Sequence, residues 1–181
     1  MVKSQNIATK VMNELNEKLS QRSREGVISA VSAGFFFVLI GAIFIITPNL
    51  FNRIPDFFRD FDVVQVPNTG IFLPAPVSPR IHSTVYVAVE QFSFAFGLFQ
   101  IAILALRIVI RSPWSKKAET VSNFIFWIGT GYLTRTLLIE TTRHTATTAW
   151  FVFWAGIIML LGVSFIVRAI ILAIAFIRPK V

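Results

Sequence analysis

The sequence predicts an all-α membrane protein, an antiparallel four-helix transmembrane bundle with both termini cytoplasmic and a structured outer loop. Three observations carry that expectation. Residues 26–47, 84–106, 120–139 and 149–167 are apolar stretches holding two charged residues between them, Glu90 and Arg135. A helix rises roughly 1.5 Å per residue, so about 20 such residues cross a hydrocarbon core of about 30 Å. Composition agrees: 55% of the 181 residues are hydrophobic and 14% are charged, against about 25% charged in a typical soluble domain. Four apolar runs of that length have nowhere to hide in a soluble fold of this size.

The third observation is where the charge lies. The tail before the first span, the stretch between spans two and three, and the C-terminal end hold twelve bases and four acids, which is the whole formal charge of +8. On the other side Arg53, Arg59, Arg80 and Arg143 balance Asp56, Asp60, Asp62 and Glu140. Basic loops stay on the cytoplasmic side, so this pattern orients the chain. The partners it implies are the anionic headgroups of the inner leaflet, not nucleic acid, for which no motif is present. A homo-oligomer or a membrane-protein partner is the further expectation. There is no N-x-[ST] sequon and no cleavable signal peptide, so the first span reads as a retained anchor in a prokaryotic plasma membrane.

Residues 1–25 form the first element, a cytoplasmic amphipathic helix. Ile7, Val11, Leu15 and Leu19 recur every four residues among polar ones and give a narrow apolar stripe. Its two expected settings are the headgroup layer and a short oligomerisation contact. Residues 26–181 form the transmembrane domain.

Between spans one and two lies the outer loop, residues 48–83. Leu50, Ile54, Phe57, Phe58 and Phe61 fall on one helical face, with Arg53, Asp56, Arg59, Asp60 and Asp62 on the other. Pro55 suits the first turn of such a helix. Two short β-prone runs, Val63-Val64-Gln65-Val66 and Ile71-Phe72-Leu73, flank Pro67-Asn68-Thr69-Gly70, which reads as a hairpin. Ser112-Pro113 supplies an N-cap and a first-turn proline for a helix entering span three. After span four the apolar pattern continues to residue 177, a helix of about 45 Å from Thr147 at 1.5 Å per residue.

Ionisable groups inside the membrane are costly and mark the first place to look for function. Glu90 lies about 9 Å below the outer end of span two, and Arg135 roughly 7 Å below the outer end of span three. Their depths match on consecutive antiparallel helices, which predicts an intramembrane Glu90–Arg135 ion pair. Glu90, Ser93, Gly97, Gln100, Leu104 and Arg107 share one face of span two. With Thr130 and Thr134 on span three, Ser93 and Gln100 form a polar seam of interhelical hydrogen bonds. The competing reading makes that seam the lining of an oligomeric ion or small-solute conduit.

Catalytic chemistry has little support. The two histidines, His82 and His144, sit at the outer ends of spans without H-x-x-H spacing, so neither a metal site nor a cofactor is expected. Cysteine is absent, which removes disulfide and thiolate chemistry. G-x-S-x-G and phosphate-loop motifs are also missing. The sequence therefore points to a non-enzymatic membrane subunit acting through helix packing and its outer cap.

Overall fold

The computed structural model describes residues 2–140 and 146–177, and it is mostly helical with one two-stranded sheet. The elements are α1 (Val2–Ile46), α2 (Leu50–Arg59), β1 (Phe61–Gln65), β2 (Phe72–Pro76), α3 (Ser83–Val109), α4 (Trp114–Leu133) and α5 (Ala146–Ile177). A 3-10 turn, Pro79–His82, leads into α3, and a π-helical segment, Thr134–Ile139, extends α4.

Three helical stretches are long and apolar enough to cross a membrane: Leu19–Ile46, Pro79–Val109 and Thr147–Ile177. The run at residues 120–139 is divided differently. Lys116, Lys117 and Glu119 occupy the first turns of α4, and the last third of the run, Thr134–Ile139, is the π segment. The tail and the first apolar run are one element, since α1 continues through Gly26 without a break. Val11, Leu15 and Leu19 are exposed along it.

The long helices are joined in a row. α1 packs on α3, α3 on α4, and α4 on α5, while α1 and α5 share no packed interface among the described residues. Phenylalanines make the first contact. Phe35 stacks on Phe99 with ring centroids 3.8 Å apart, and Phe36 meets Phe92 and Phe96 edge-on at 5.5 and 5.7 Å. Glycines make the others. A Cβ on Gly97 would stand 2.8 Å from Ile128 Cδ1, and one on Gly129 2.6 Å from Leu160. These helices approach at backbone distance, as small residues permit.

The loop between α1 and α3 folds onto this row as a cap. Asn49, in the left-handed region at φ 58°, starts α2, a conformation asparagine tolerates better than most residues. Pro55 consequently sits in the second turn of α2, one turn deeper than its sequence context predicts. Strands β1 and β2 pair antiparallel, with Phe61 opposite Pro76 and Gln65 opposite Phe72. Pro67 and Asn68 (φ 61°) make the turn, which the Thr69 N–H closes onto Val66 O at 3.1 Å. Proline at the first central position and a left-handed residue at the second are the requirements of a type II turn. Pro74 and Pro76 lie within β2, where a two-stranded sheet leaves the outward side unpaired and a missing N–H costs nothing.

At the opposite end, Ser112 does not cap α4. Its hydroxyl is buried without a hydrogen-bond partner, and Pro113 occupies the cap position. The chain turns there because Arg111 adopts φ 55°, which lets the Ser112 N–H reach Arg107 O at 2.9 Å. This is a helix ending through a left-handed residue, here without glycine.

Candidate functional site

Four polar residues of α3, Tyr86, Ser93, Gln100 and Arg107, recur every seven residues, and all four are buried. Seven residues are two helical turns, so they lie on the face that α4 covers. Ser93, Gly97, Gln100 and Arg107 were legible in the sequence. Tyr86 was not singled out, although it is the next residue of the same register.

Glu90 and Arg135 are brought together, with Arg135 Nη1 3.6 Å from Glu90 Oε1. Arg135 has a nearer partner, since its Nε donates to Glu140 Oε1 at 2.8 Å. The π segment accounts for that pairing. Its i to i+5 bond, Glu140 N–H to Arg135 O at 2.9 Å, returns Glu140 to the side of the helix that carries Arg135. Glu90 is 15% exposed while Arg135 and Glu140 are 56% and 53% exposed, so the cluster lies at a margin of the fold with only Glu90 turned inward.

The seam hydroxyls behave differently from the expectation. Thr130 Oγ1 donates to Phe126 O and Thr134 Oγ1 to Thr130 O, both at 2.8 Å, and Thr136 returns its proton to Tyr132 O at 2.9 Å. A helical threonine hydroxyl can donate to the carbonyl one turn back, which satisfies it within its own helix. Thr130 and Thr134 therefore let α3 and α4 close on each other with their hydroxyls satisfied inside α4 and its π-helical extension. An interhelical side-chain bond is found elsewhere, from Ser122 Oγ to Ser164 O at 2.8 Å, between α4 and α5.

A second polar centre anchors the cap. Asp60, at the end of α2, accepts from the Ser78 N–H at 2.8 Å and from His82 Nε2 at 2.9 Å through the same carboxylate oxygen. The Val77 N–H donates to Asp60 O at 2.9 Å. Burial of the carboxyl opposes its ionisation, but the Ser78 N–H and the His82 ring outweigh that effect and hold Asp60 below its ordinary value of 3.8. Beside it Phe57 packs against Phe61, His82, Tyr86 and Trp150 with centroids 5.1 to 6.1 Å apart. One carboxylate and one ring thus tie the helix, the hairpin and the entry to α3 into a unit.

A third centre lies at the far end of α3. Arg107 donates to Lys116 O at 2.6 Å and to Thr120 Oγ1, and its Nε is 3.7 Å from Glu25 Oε2. The Glu25 carboxylate is buried with no hydrogen bond of its own. Opposite charges at adjoining ends of two consecutive apolar runs were the available signal, and no spacing rule picks them out.

Comparison with family models, curated proteins and solved structures gives no match to this chain. Function rests on the geometry. His144 lies outside the described residues; His82 is committed to Asp60. Among the described residues no three His, Asp or Glu side chains gather around a common point that could hold a metal ion. What the arrangement does offer is a braced cap with an apolar rim: Phe58, Val63, Ile71, Phe72 and Leu73 are all exposed.

Proposed function

We propose that this chain is a four-span, non-enzymatic membrane subunit that presents its cap to another membrane protein at the outer surface. The observation that carries this reading is the contrast within the cap. Its inner side is held by the Asp60 bonds and the Phe57 cluster, while Ile71, Phe72 and Leu73 stand exposed at the hairpin. A pre-ordered apolar edge binds a partner without the cost of ordering it first, and an exposed strand offers unpaired backbone groups as well.

The packing of α4 supports counting it as a fourth crossing beside the three candidate spans. The helix packs along both α3 and α5, which are candidate spans, and residues 120–139 are apolar enough to accompany them for about 30 Å at 1.5 Å per residue. With α4 counted, both termini and the loop at Arg111 lie on the basic side, and the cap faces outward.

A conduit between spans two and three is the weaker reading. Ser93 and Thr134 are fully buried, the seam threonines bond within α4, and a single added carbon at Gly97 would meet Ile128. Those features favour a dry contact over a wet one.

Native mass spectrometry of the protein extracted from its own membranes tests the proposal. Wild type is expected as a complex with a second polypeptide, which Ile71→Ser/Phe72→Ser releases while the chain stays folded. A bare chain, or a complex of copies of this chain unaffected by the double substitution, contradicts it.

A further inference from the structure

α2 and the 3-10 turn at Pro79–His82 border a cavity of about 350 Å³, lined by Arg53, Asp56, Arg59, Asp60, Ile81 and His82. Its wall is partly polar and carries both signs of charge. Two of these residues are committed: His82 is buried against Asp60, whose Oδ2 also takes the Ser78 N–H. The other charges are not. Arg53, Asp56 and Arg59 follow at three-residue steps, the spacing at which opposite charges meet on a helix. Lys116 and Glu119 do pair at that spacing, 3.0 Å apart. Arg53, Asp56 and Arg59 are exposed, and no salt bridge or side-chain hydrogen bond joins them to each other or to another described residue.

This set of charges selects a ligand by exclusion. A bare anion gains from two guanidinium groups but stands against Asp56 and Asp60. A bare cation meets the reverse, and among the described residues no three His, Asp or Glu side chains gather to hold a metal ion. A zwitterion suits both signs at once. Guanidinium groups donate paired N–H bonds to a phosphate, and a carboxylate accepts from an ammonium. Arg53 and Arg59 are separated by about 9 Å of helix at 1.5 Å per residue, with Asp56 midway, so one small ligand can lie along the whole row.

The place of the cavity points to where such a ligand comes from. Ile81 and His82 belong to the candidate span Pro79–Val109, and α2 starts just after the candidate span Leu19–Ile46 ends. A group bound there lies at the level where the spans leave the hydrocarbon. Ile81 in the wall is exposed, as are Phe51 and Phe58 on α2, which offers apolar surface beside the charges. We propose that the cavity seats a phosphoethanolamine group, with its phosphate on Arg53 and Arg59 and its ammonium on Asp56. A phospholipid headgroup and a soluble glycerophosphate ester both carry that chemistry. The lipid source rests on the reading of Pro79–Val109 as a membrane span.

The test uses the whole chain, purified in nonionic detergent and freed of lipid. Flotation with liposomes is scored first and examines the membrane reading separately. Native mass spectrometry then follows titration with phosphatidylethanolamine and, in parallel, with phosphatidylglycerol of the same acyl chains. The first is expected to saturate and to bind about tenfold more tightly than the second, which has no ammonium to offset Asp56. Arg53→Gln/Arg59→Gln should weaken phosphatidylethanolamine about tenfold or more, the worth of hydrogen bonds to a charged group. Asp56→Asn should weaken phosphatidylethanolamine and strengthen phosphatidylglycerol, because the repulsion goes with the carboxylate. Excess glycerophosphoethanolamine tells the sources apart: displacement of the lipid means that the soluble ester suffices, and retention means that the acyl chains take part. No saturable binding, equal binding of the two lipids, or binding that these substitutions leave unchanged overturns the proposal.

Discussion

Replacing Gly97 by leucine puts a branched side chain where the structure leaves no room for a single carbon. A Cβ there would stand 2.8 Å from Ile128 Cδ1 and 3.2 Å from the Ile128 backbone nitrogen. The Ile128 side chain can turn aside, but its backbone cannot, so α3 and α4 must separate over the buried residues Ser93 and Gln100. Gly162 supplies the control, since a Cβ there meets nothing within 4 Å. Both substitutions gain roughly the same helix propensity, up to about 1 kcal/mol. Their difference isolates overpacking, about 1–3 kcal/mol for extra carbon in a filled contact. Unfolding in mixed micelles of increasing denaturing detergent, followed by tryptophan fluorescence, measures it. Gly97→Leu should lie about 1–3 kcal/mol below Gly162→Leu, and each 1.4 kcal/mol is a tenfold change in the folding equilibrium. Equal stability would refute the close contact and restore a hydrated seam to consideration.

Phe57→Ala should free the cap from the helices. The ring is half-buried, so the loss is set below the full 3–5 kcal/mol of a core phenylalanine, at about 1–3 kcal/mol. Hydrogen exchange should then quicken at Phe61–Gln65 and Phe72–Pro76 and stay unchanged in α4. Ser122→Ala should cost about 0.5–1.5 kcal/mol by breaking the bond to Ser164 O, whereas Thr130→Val should be near neutral because its hydroxyl serves only its own helix; the same detergent titration compares them. Asp60 has a lowered folded value, so its contribution is complete above 3.8 and is lost as pH falls through the folded value. Pepsin should leave the hairpin intact down to about pH 4 and cut it at lower pH, while Asp60→Asn should already be cut at the higher end of that range. A double-mutant cycle of Glu90→Gln and Arg135→Gln should show favourable coupling in thermal denaturation, weaker than the coupling of Arg135 with Glu140, because Glu140 is the closer partner. Zero coupling in both cycles would contradict the ion cluster.

Local patterns carried most of what was legible. Each apolar run lies within a helix because length and hydropathy are properties of a contiguous segment. The hairpin was readable from Pro67-Asn68 between β-prone runs, since turn chemistry acts over four residues. The face of α3 was readable because seven-residue spacing is a property of one helix. Relations between segments were not readable in the same way. Nothing in residues 26–47 reveals that Phe35 stacks on Phe99. Asp60 and His82 are 22 residues apart, and their pairing depends on how the hairpin folds back. The seam threonines misled for a physical reason: in lipid their nearest acceptor is the carbonyl one turn back, and that bond forms before any neighbour is needed. The π segment was illegible too, although it alone decides that Arg135 meets Glu140.

The most direct test of the account is the side on which each loop lies. The chain has no cysteine, so single substitutions at Lys10, Asn68, Ser115 and Thr141 can be probed in intact cells with a membrane-impermeant maleimide. The account predicts labelling of Asn68→Cys and Thr141→Cys from outside, and of Lys10→Cys and Ser115→Cys only after the membrane is opened. Thr141→Cys protected together with Ser115→Cys would mean that α4 does not cross, and the four-span subunit with its outward cap would have to be abandoned.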